Sequence, residues 1–526
     1  MKHFILSFAI LLAFLSFEKT NATTPENKPK IVIGMMVDQM RWDYLYKYQD
    51  RYVEGGFKRL INEGFSCENT LIDYAPTITG CGHASVYTGS VPAIHGIVGN
   101  SWPILEKRIE MNCVGDDSVS PLGSTSSRGK ASPRNLLTTT IGDELKMATN
   151  FRSKVVGVSI KDRGAILPAG HAADGAFWFD SGSDNFISST WYMDKFPSWA
   201  TSFNERKLPK ALTKNDWHTL YPIDSYKQSV AGKSIFPQKL KDVNVSGTPF
   251  GNTLVLEFAK AAIEGYGLGA GTETDLLAIS LSSTDAIGHR HGPNSIEIED
   301  TYLRLDKDLS DFFAYLDRRY GKGEYLFFIT ADHGVSHTPE YLMDNKLPGG
   351  AMDYEALIGS VNETVKSEFG MDSIVMAAAN GQLYLNLEEI KKRGLSQALL
   401  EDKVVELIEK APAVANAIPT RRLGVAVLPE AIKSRLIKGQ NFERGGDIVV
   451  VLKSGWKHGS LTGASHSHWN PYDAHIPLVW MGWGIEQGKT NRTVNMTDIA
   501  PTIAAMLRIQ MPSGNVGSVI SELVDR

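Results

Sequence analysis

The stretch from Ile31 to Asp38 reads I-V-I-G-M-M-V-D, seven apolar or small residues closed by an aspartate. A run of that length with no polar alternation has the character of a strand buried on both faces, as in a parallel sheet. Comparable runs occur at Val155–Ile160, Leu276–Leu281, Tyr325–Thr330, Ile448–Leu452 and Pro477–Met481. Amphipathic helices separate some of them. In Ser295–Arg319, Ile298, Tyr302, Leu305, Leu309, Phe312 and Leu316 recur at three- and four-residue steps. Strands alternating with helices predict an α/β fold around a mostly parallel sheet. The stretches 170–250 and 338–440 break that alternation. They read as cap segments inserted over the top of the sheet.

Composition narrows the function classes. The chain has 526 residues, 42% hydrophobic and 21% charged, which excludes a disordered or collagen-like polymer. With 54 basic against 59 acidic residues it has no broad cationic surface, so duplex nucleic acid is not an expected partner. A small anion needs only a local pocket and stays open. Three cysteines allow at most one disulfide, with Cys67–Cys113 the candidate pair. Lys2 and His3 precede an apolar run from Phe4 to Phe17, and Ala22 supplies a small residue for cleavage. This reads as a signal peptide over 1–22, leaving a single α/β domain over 23–526 that is periplasmic or secreted. The apolar run is shorter than the roughly 20 residues of a membrane span, and no second run is long enough.

The polar residues fall where a parallel sheet places its ligands, beyond the carboxyl ends of the strands. Asp38 closes the first strand, and Lys161 and Arg163 follow the second in V-G-V-S-I-K-D-R. Asp285 follows the third in L-A-I-S-L-S-S-T-D, and Asp332 and His333 close the fourth in L-F-F-I-T-A-D-H-G. A single strand-end aspartate is ordinarily a turn former or helix cap. Several converging carboxylates repel one another unless a cation lies between them. His289 stands four residues after Asp285, and His333 adjoins Asp332. With a further histidine from 458–475, three carboxylates and three imidazoles exceed one tetrahedral ion and suit two. A mixed nitrogen and oxygen set without thiolate favours zinc, with manganese or iron as alternatives. His83, His95, His171 and His218 lack such neighbours and read as structural.

Thr79 is the candidate nucleophile. It sits in A-P-T-I-T-G-C-G-H-A-S-V, followed by Gly80, Gly82 and a short helical pattern. A hydroxyl there is ordinarily an N-cap. The same position surrounds an anion with backbone N–H groups and the positive end of a helix dipole, and a neighbouring metal activates the hydroxyl.

Six ordered motifs together resemble the alkaline phosphatase superfamily, and within it the secreted PafA-like alkaline phosphatases. They are V-D-Q-M-R at 37–41, P-T-I-T-G at 76–80, G-N-S-W at 99–102, K-D-R at 161–163, D-A-I-G-H at 285–289 and A-D-H-G at 331–334. The resemblance implies a three-layer α/β/α sandwich and two zinc ions. One ion would be held by Asp285, His289 and His466, the other by Asp38, Asp332, His333 and the Thr79 oxygen. Asn100, Lys161, Arg163 and the Gly80 N–H would contact the phosphoryl oxygens. The family usually carries His-Gly at the last zinc histidine, where this chain reads A-S-H-S-H-W. His468 and His458 are therefore rivals to His466.

The implied activity is hydrolysis of small-molecule phosphate monoesters to an alcohol and inorganic phosphate through a phosphothreonine. The alternative is a nucleotide pyrophosphatase/phosphodiesterase of the same superfamily, against which the Lys161 and Arg163 pair weighs. A metal- or phosphate-binding protein without turnover leaves the positioned threonine unexplained. Thr79 lacks the Cys/Ser-x-Pro-x-Arg context of a sulfatase. Phe177, Trp178, Trp191 and Tyr192 are candidates for a leaving-group pocket, with core packing the ordinary reading. Oligomeric state is not legible.

Overall fold

The computed structural model describes residues 28–228 and 234–524, so the expected signal peptide lies outside the described residues. Five parallel strands form the middle of an 11-stranded sheet, in the spatial order Tyr325–Thr330, Ile31–Val37, Asp275–Leu281, Val155–Ser159 and Gly175–Asp180. All five are buried along their whole length, which is why their sequences lack a polar face. Helices cover both sides. Successive strand residues point to opposite faces, and Phe327 packs edge-on against Phe313 of helix Ile296–Tyr320 while Phe328 meets Tyr87 of helix Thr79–Thr88. The expected three-layer sandwich is the observed one.

Two strands do not lie as the sequence suggests. Leu478–Gly482 belongs to the central sheet but runs antiparallel to Tyr325–Thr330. Ile448–Leu452 leaves the central sheet altogether. It joins a four-stranded antiparallel sheet in the order Val375–Ala379, Gln382–Leu385, Ile448–Leu452, Val414–Pro419. Ile448, Val450 and Leu452 enter a core with Val361, Val365, Leu400 and Val404, whereas Val449 and Val451 pack with Ala75 and Leu436. A strand covered on both faces loses its alternation whatever its direction.

This second sheet and its helices occupy most of the expected 338–440 insertion. The other insertion begins later than expected, because Gly175–Asp180 and Asn185–Ser189 are strands of the central sheet. Phe177 and Trp178 are buried, and the Phe177 ring packs 5.5 Å from Phe258 and 5.3 Å from Trp199. These aromatics build core. The Cys67–Cys113 bridge does not form. Cys67, Cys81 and Cys113 are all free and buried; Cys67 lies in the strand Phe65–Leu71, while Cys113 follows the hairpin strand Ile109–Asn112. Among the described residues no helix is long and apolar enough to cross a membrane.

One glycine lets the Thr79 helix settle on the sheet. A Cβ at Gly34 would come within 2.4 Å of the Tyr87 hydroxyl and 2.5 Å of the Phe328 ring, and Tyr87 donates to the Gly34 carbonyl at 3.1 Å. Gly34→Val should therefore overpack this contact and cost about 1–3 kcal/mol or more. Thermal unfolding checks it, and an unchanged Tm would contradict the packing.

Candidate active site

Because the central strands are neighbours, their carboxyl ends converge. Asp38 follows Ile31–Val37, Lys161 caps the helix Asp162–Ala169 beyond Val155–Ser159, and Asp332 and His333 follow Tyr325–Thr330. Asp285 and His289 lie one turn apart on helix Ser283–His291, so both side chains share a face. The Lys161 ammonium stands between two of the carboxylates, 2.6 Å from Asp38 Oδ2 and 2.6 Å from Asp285 Oδ2.

Two overlapping groups of possible ligand atoms result. Those of Asp285, His289 and His466 lie within 4.8 Å of one another, as do those of Asp38, Asp285 and His333. Asp332 Oδ2 is 3.5 Å from His333 Nε2. The three histidines are oriented alike. Nδ1 of His289, His333 and His466 faces the carbonyl of Ala464, Gly334 and Thr77, at 2.9, 3.0 and 2.6 Å. Each Nδ1 thus carries the proton, leaving an Nε2 lone pair toward the carboxylates, the tautomer that metal-binding histidines adopt.

The electrostatics favour a cation here. Burial, with Asp285 and Asp332 nearby, pushes the Asp38 carboxyl well above the ordinary range. Burial opposes the Asp285 charge too, but the Lys161 ammonium beside it holds its carboxyl well below that range. Burial and the two neighbouring imidazoles press His466 strongly toward its neutral form. Asp38 Oδ1 and Asp332 Oδ2 are buried acceptors with no hydrogen-bond partner. Acceptor-rich, thiolate-free and short of donors, this set fits metal ions.

Thr79 opens its helix beside this cluster, with no side-chain cap bond. Its Oγ1 is 3.4 Å from His333 Nε2 and 3.5 Å from Lys161 Nζ. Gly82 permits the approach, since a Cβ there would stand 2.5 Å from the Asp332 carbonyl. Gly80 is placed differently from the expectation. Its N–H donates to Asn100 Oδ1 at 2.9 Å, so it orients Asn100 instead of facing a phosphoryl oxygen. The Asn100 amide nitrogen is then the end that can donate. Arg163 Nη1 is 3.3 Å from Asp162 Oδ1, while its buried Nε has no partner.

Two polar residues at the site were given no part in it by the sequence. Gln39 holds two carboxylates apart, its N–H donating to Asp332 Oδ1 at 3.1 Å and its Nε2 to Asp285 Oδ1 at 2.6 Å. His83, read as structural, lies directly below the nucleophile. Its Nδ1 faces the Thr79 carbonyl at 2.9 Å and Asp332 Oδ2 at 3.4 Å, and its Nε2 faces Ser280 Oγ at 2.8 Å. Position alone signalled both: Gln39 follows Asp38, and His83 is one helical turn after Thr79. His458 and His468 belong to neither group of possible ligand atoms.

The family model for type I phosphodiesterase / nucleotide pyrophosphatase matches residues 32–469. Alkaline phosphatase PhoV of Synechococcus elongatus is 48% identical over 94% of this chain and 93% of its own length. A Myroides odoratus protein named calcium-transporting ATPase is 47% identical over 98% of both chains. The crystal structure of wild-type alkaline phosphatase PafA superposes with a TM-score of 0.91 at 46% identity, covering 94% of this chain and 99% of that one. Similarity on this scale runs through the sheet, the cap and the strand-end cluster alike, and the chain belongs to the type I phosphodiesterase / nucleotide pyrophosphatase family, among its PafA-like alkaline phosphatases.

Proposed function

We propose that this protein is an exported, zinc-dependent phosphatase that hydrolyses small phosphate monoesters through a phosphothreonine at Thr79. One observation carries the reading: the Thr79 hydroxyl stands at a helix N-terminus within 3.5 Å of both His333 Nε2 and Lys161 Nζ. The residues that would hold two zinc ions are Asp285, His289 and His466 for one and Asp38, Asp332, His333 and the Thr79 oxygen for the other. Zinc bound there would polarise phosphoryl oxygens and make oxygen nucleophiles available near neutral pH.

The chain's own groups do the positioning. Thr79 Oγ bonds to phosphorus as the ester P–O bond breaks, and the alcohol leaves with its oxygen. Water then cleaves the phosphothreonine, freeing phosphate and restoring the hydroxyl. The helix N-terminus and the Lys161 ammonium favour negative charge on Thr79 Oγ. Asn100 Nδ2, the Lys161 ammonium and Arg163 are the donors available to the equatorial oxygens. The names of the relatives include both a phosphatase and an ATPase, and removal of a terminal phosphoryl group is common to both.

Three outcomes are expected. Purified protein should carry close to two zinc ions per chain, and His466→Ala should lower that content while His468→Ala leaves it intact; elemental analysis finding one ion or none in active protein contradicts the two-ion reading. Thr79→Ala should reduce turnover about a thousandfold or more with zinc retained, whereas Thr79→Ser keeps substantial activity. Acid trapping should recover label on Thr79, and label elsewhere points to direct attack by water. Finally, a monoester dianion has three free oxygens and a diester two. Lys161→Ala with Arg163→Ala should lower kcat/KM for monoesters roughly 30- to 1,000-fold and for diesters much less. Equal losses would assign the pair to the fold or the metals.

A further inference from the structure

A cavity of about 770 Å³ separates the active-site loops from the cap, within the size range of small-molecule sites. On the body side it is lined by Ile78, the residue before the nucleophile, and by His466, whose ring stacks on His333 at 3.5 Å. Its far wall is cap: Met376, Ala378, Val449 and Val451. Because Ile78 adjoins Thr79 in the chain and His466 adjoins His333, an ester with its phosphorus at Thr79 would direct its alcohol past Ile78 and His466 toward this cavity.

The wall chemistry selects what enters. Among the described lining residues there is no lysine or arginine, and one carboxylate, Glu355. Amides are present, but backbone groups already occupy them. Asn362 Oδ1 accepts from Ile374 and Val375 N–H at 3.0 and 2.9 Å, and its Nδ2 donates to the Val375 carbonyl at 3.1 Å. Gln440 Nε2 donates to the Gly446 carbonyl at 3.0 Å, and Asn380 Nδ2 to the Ser101 carbonyl at 2.8 Å. The surface left to a guest is mainly apolar, with Tyr354 and Trp469 beside the aliphatic side chains and with His458, Ser465 and Ser467 as its neutral polar part. A second phosphate would find no counter-charge there and would face Glu355, whereas an aryl or alkyl body would displace water from Met376, Val449 and Val451.

We propose that the cavity is the leaving-group site, and that it selects monoesters of apolar, aromatic or branched alcohols over polyanionic esters. The proposal rests on the phosphatase reading above, and it gives the cap a direct role in specificity. The test uses the full-length zinc-loaded protein and three substrates: 1-naphthyl phosphate, methyl phosphate and ATP. Ala378 and Met376 line the cavity at solvent-exposed positions of the cap strand Val375–Ala379, which suits them to substitution without loss of the fold.

Ala378→Trp should fill the cavity and lower kcat/KM for 1-naphthyl phosphate about tenfold or more, leaving methyl phosphate, which has no body to place there, unchanged. Met376→Lys should raise kcat/KM for ATP relative to 1-naphthyl phosphate several-fold. Equal changes on all substrates, or none, would overturn the proposal. Calorimetric titration with 1-naphthol reads the cavity without turnover. Binding to the wild type that is lost in Ala378→Trp is expected, and no binding, or equal binding to both, overturns the site. Failure of the wild type to hydrolyse any of the three esters, with naphthol binding intact, would instead strike the phosphatase reading.

Discussion

Carboxylates crowded at the ends of adjacent parallel strands are the constraint around which this molecule is arranged. Asp38, Asp285 and Asp332 are buried within one cluster, and each pays the desolvation that burial imposes on charge. Lys161 reaches two of them, Asp38 and Asp285; Gln39 supplies donors to Asp285 and Asp332; and Asp38 Oδ1 and Asp332 Oδ2 are left over. Such a cluster stands only where cations can be recruited, and the imidazoles turned toward it extend the same donor set. Flanking packing serves that end. Gly34 lets the Thr79 helix lie on the sheet, and Gly82 lets it touch the Asp332 turn, so the hydroxyl and the carboxylates share one small volume.

One of the ties between the cap and this centre is a short turn. Asn380 has a positive φ of 57° between the strands Val375–Ala379 and Gln382–Leu385. Its side chain lies against Gly99, where a Cβ would come within 2.2 Å, and bonds to the Ser101 carbonyl. The cap therefore grips the backbone on both sides of Asn100. The cavity wall and the clamp on the Asn100 loop belong to the same hairpin, so the proposed leaving-group site and the proposed phosphoryl contact share one support.

Much of this was legible because the informative residues occupy unusual places. Aspartates and histidines that end apolar runs stand out against the sequence around them, and Asp38, Lys161, Asp285, His289, Asp332 and His333 all converge as expected. Ile448–Leu452 was misplaced because a strand buried on both faces looks the same in a parallel sheet and in a cap wedged between helices and body. His83 is held as the structural histidine it was read to be, by partners nearly 200 and 250 residues away in sequence, Ser280 and Asp332, whereas the Gly80 N–H was misplaced because its occupant, Asn100, becomes its neighbour only through folding. Contacts that depend on chain crossing have no local signature.

His466 and His468 show how much such a contact decides. The two share residue type and near-identical surroundings in sequence, and their different environments arise at Ser467, whose φ of 104° turns the chain between them. Thr77 stabilises that turn. Its carbonyl accepts from His466 Nδ1 at 2.6 Å, its hydroxyl donates to the His468 carbonyl at 2.9 Å, and the same hydroxyl accepts from Ser467 N–H at 3.2 Å. His466 is thereby presented to Asp285 and His333, while burial presses the His468 imidazole down to about 4 away from them. Thr77 and Thr79 are two residues apart, one holding the histidine loop and the other standing beside His333 and Lys161. The Thr77 hydrogen bonds therefore fasten the His466 ring to the segment that carries Thr79, and they set the distance between that hydroxyl and the cluster.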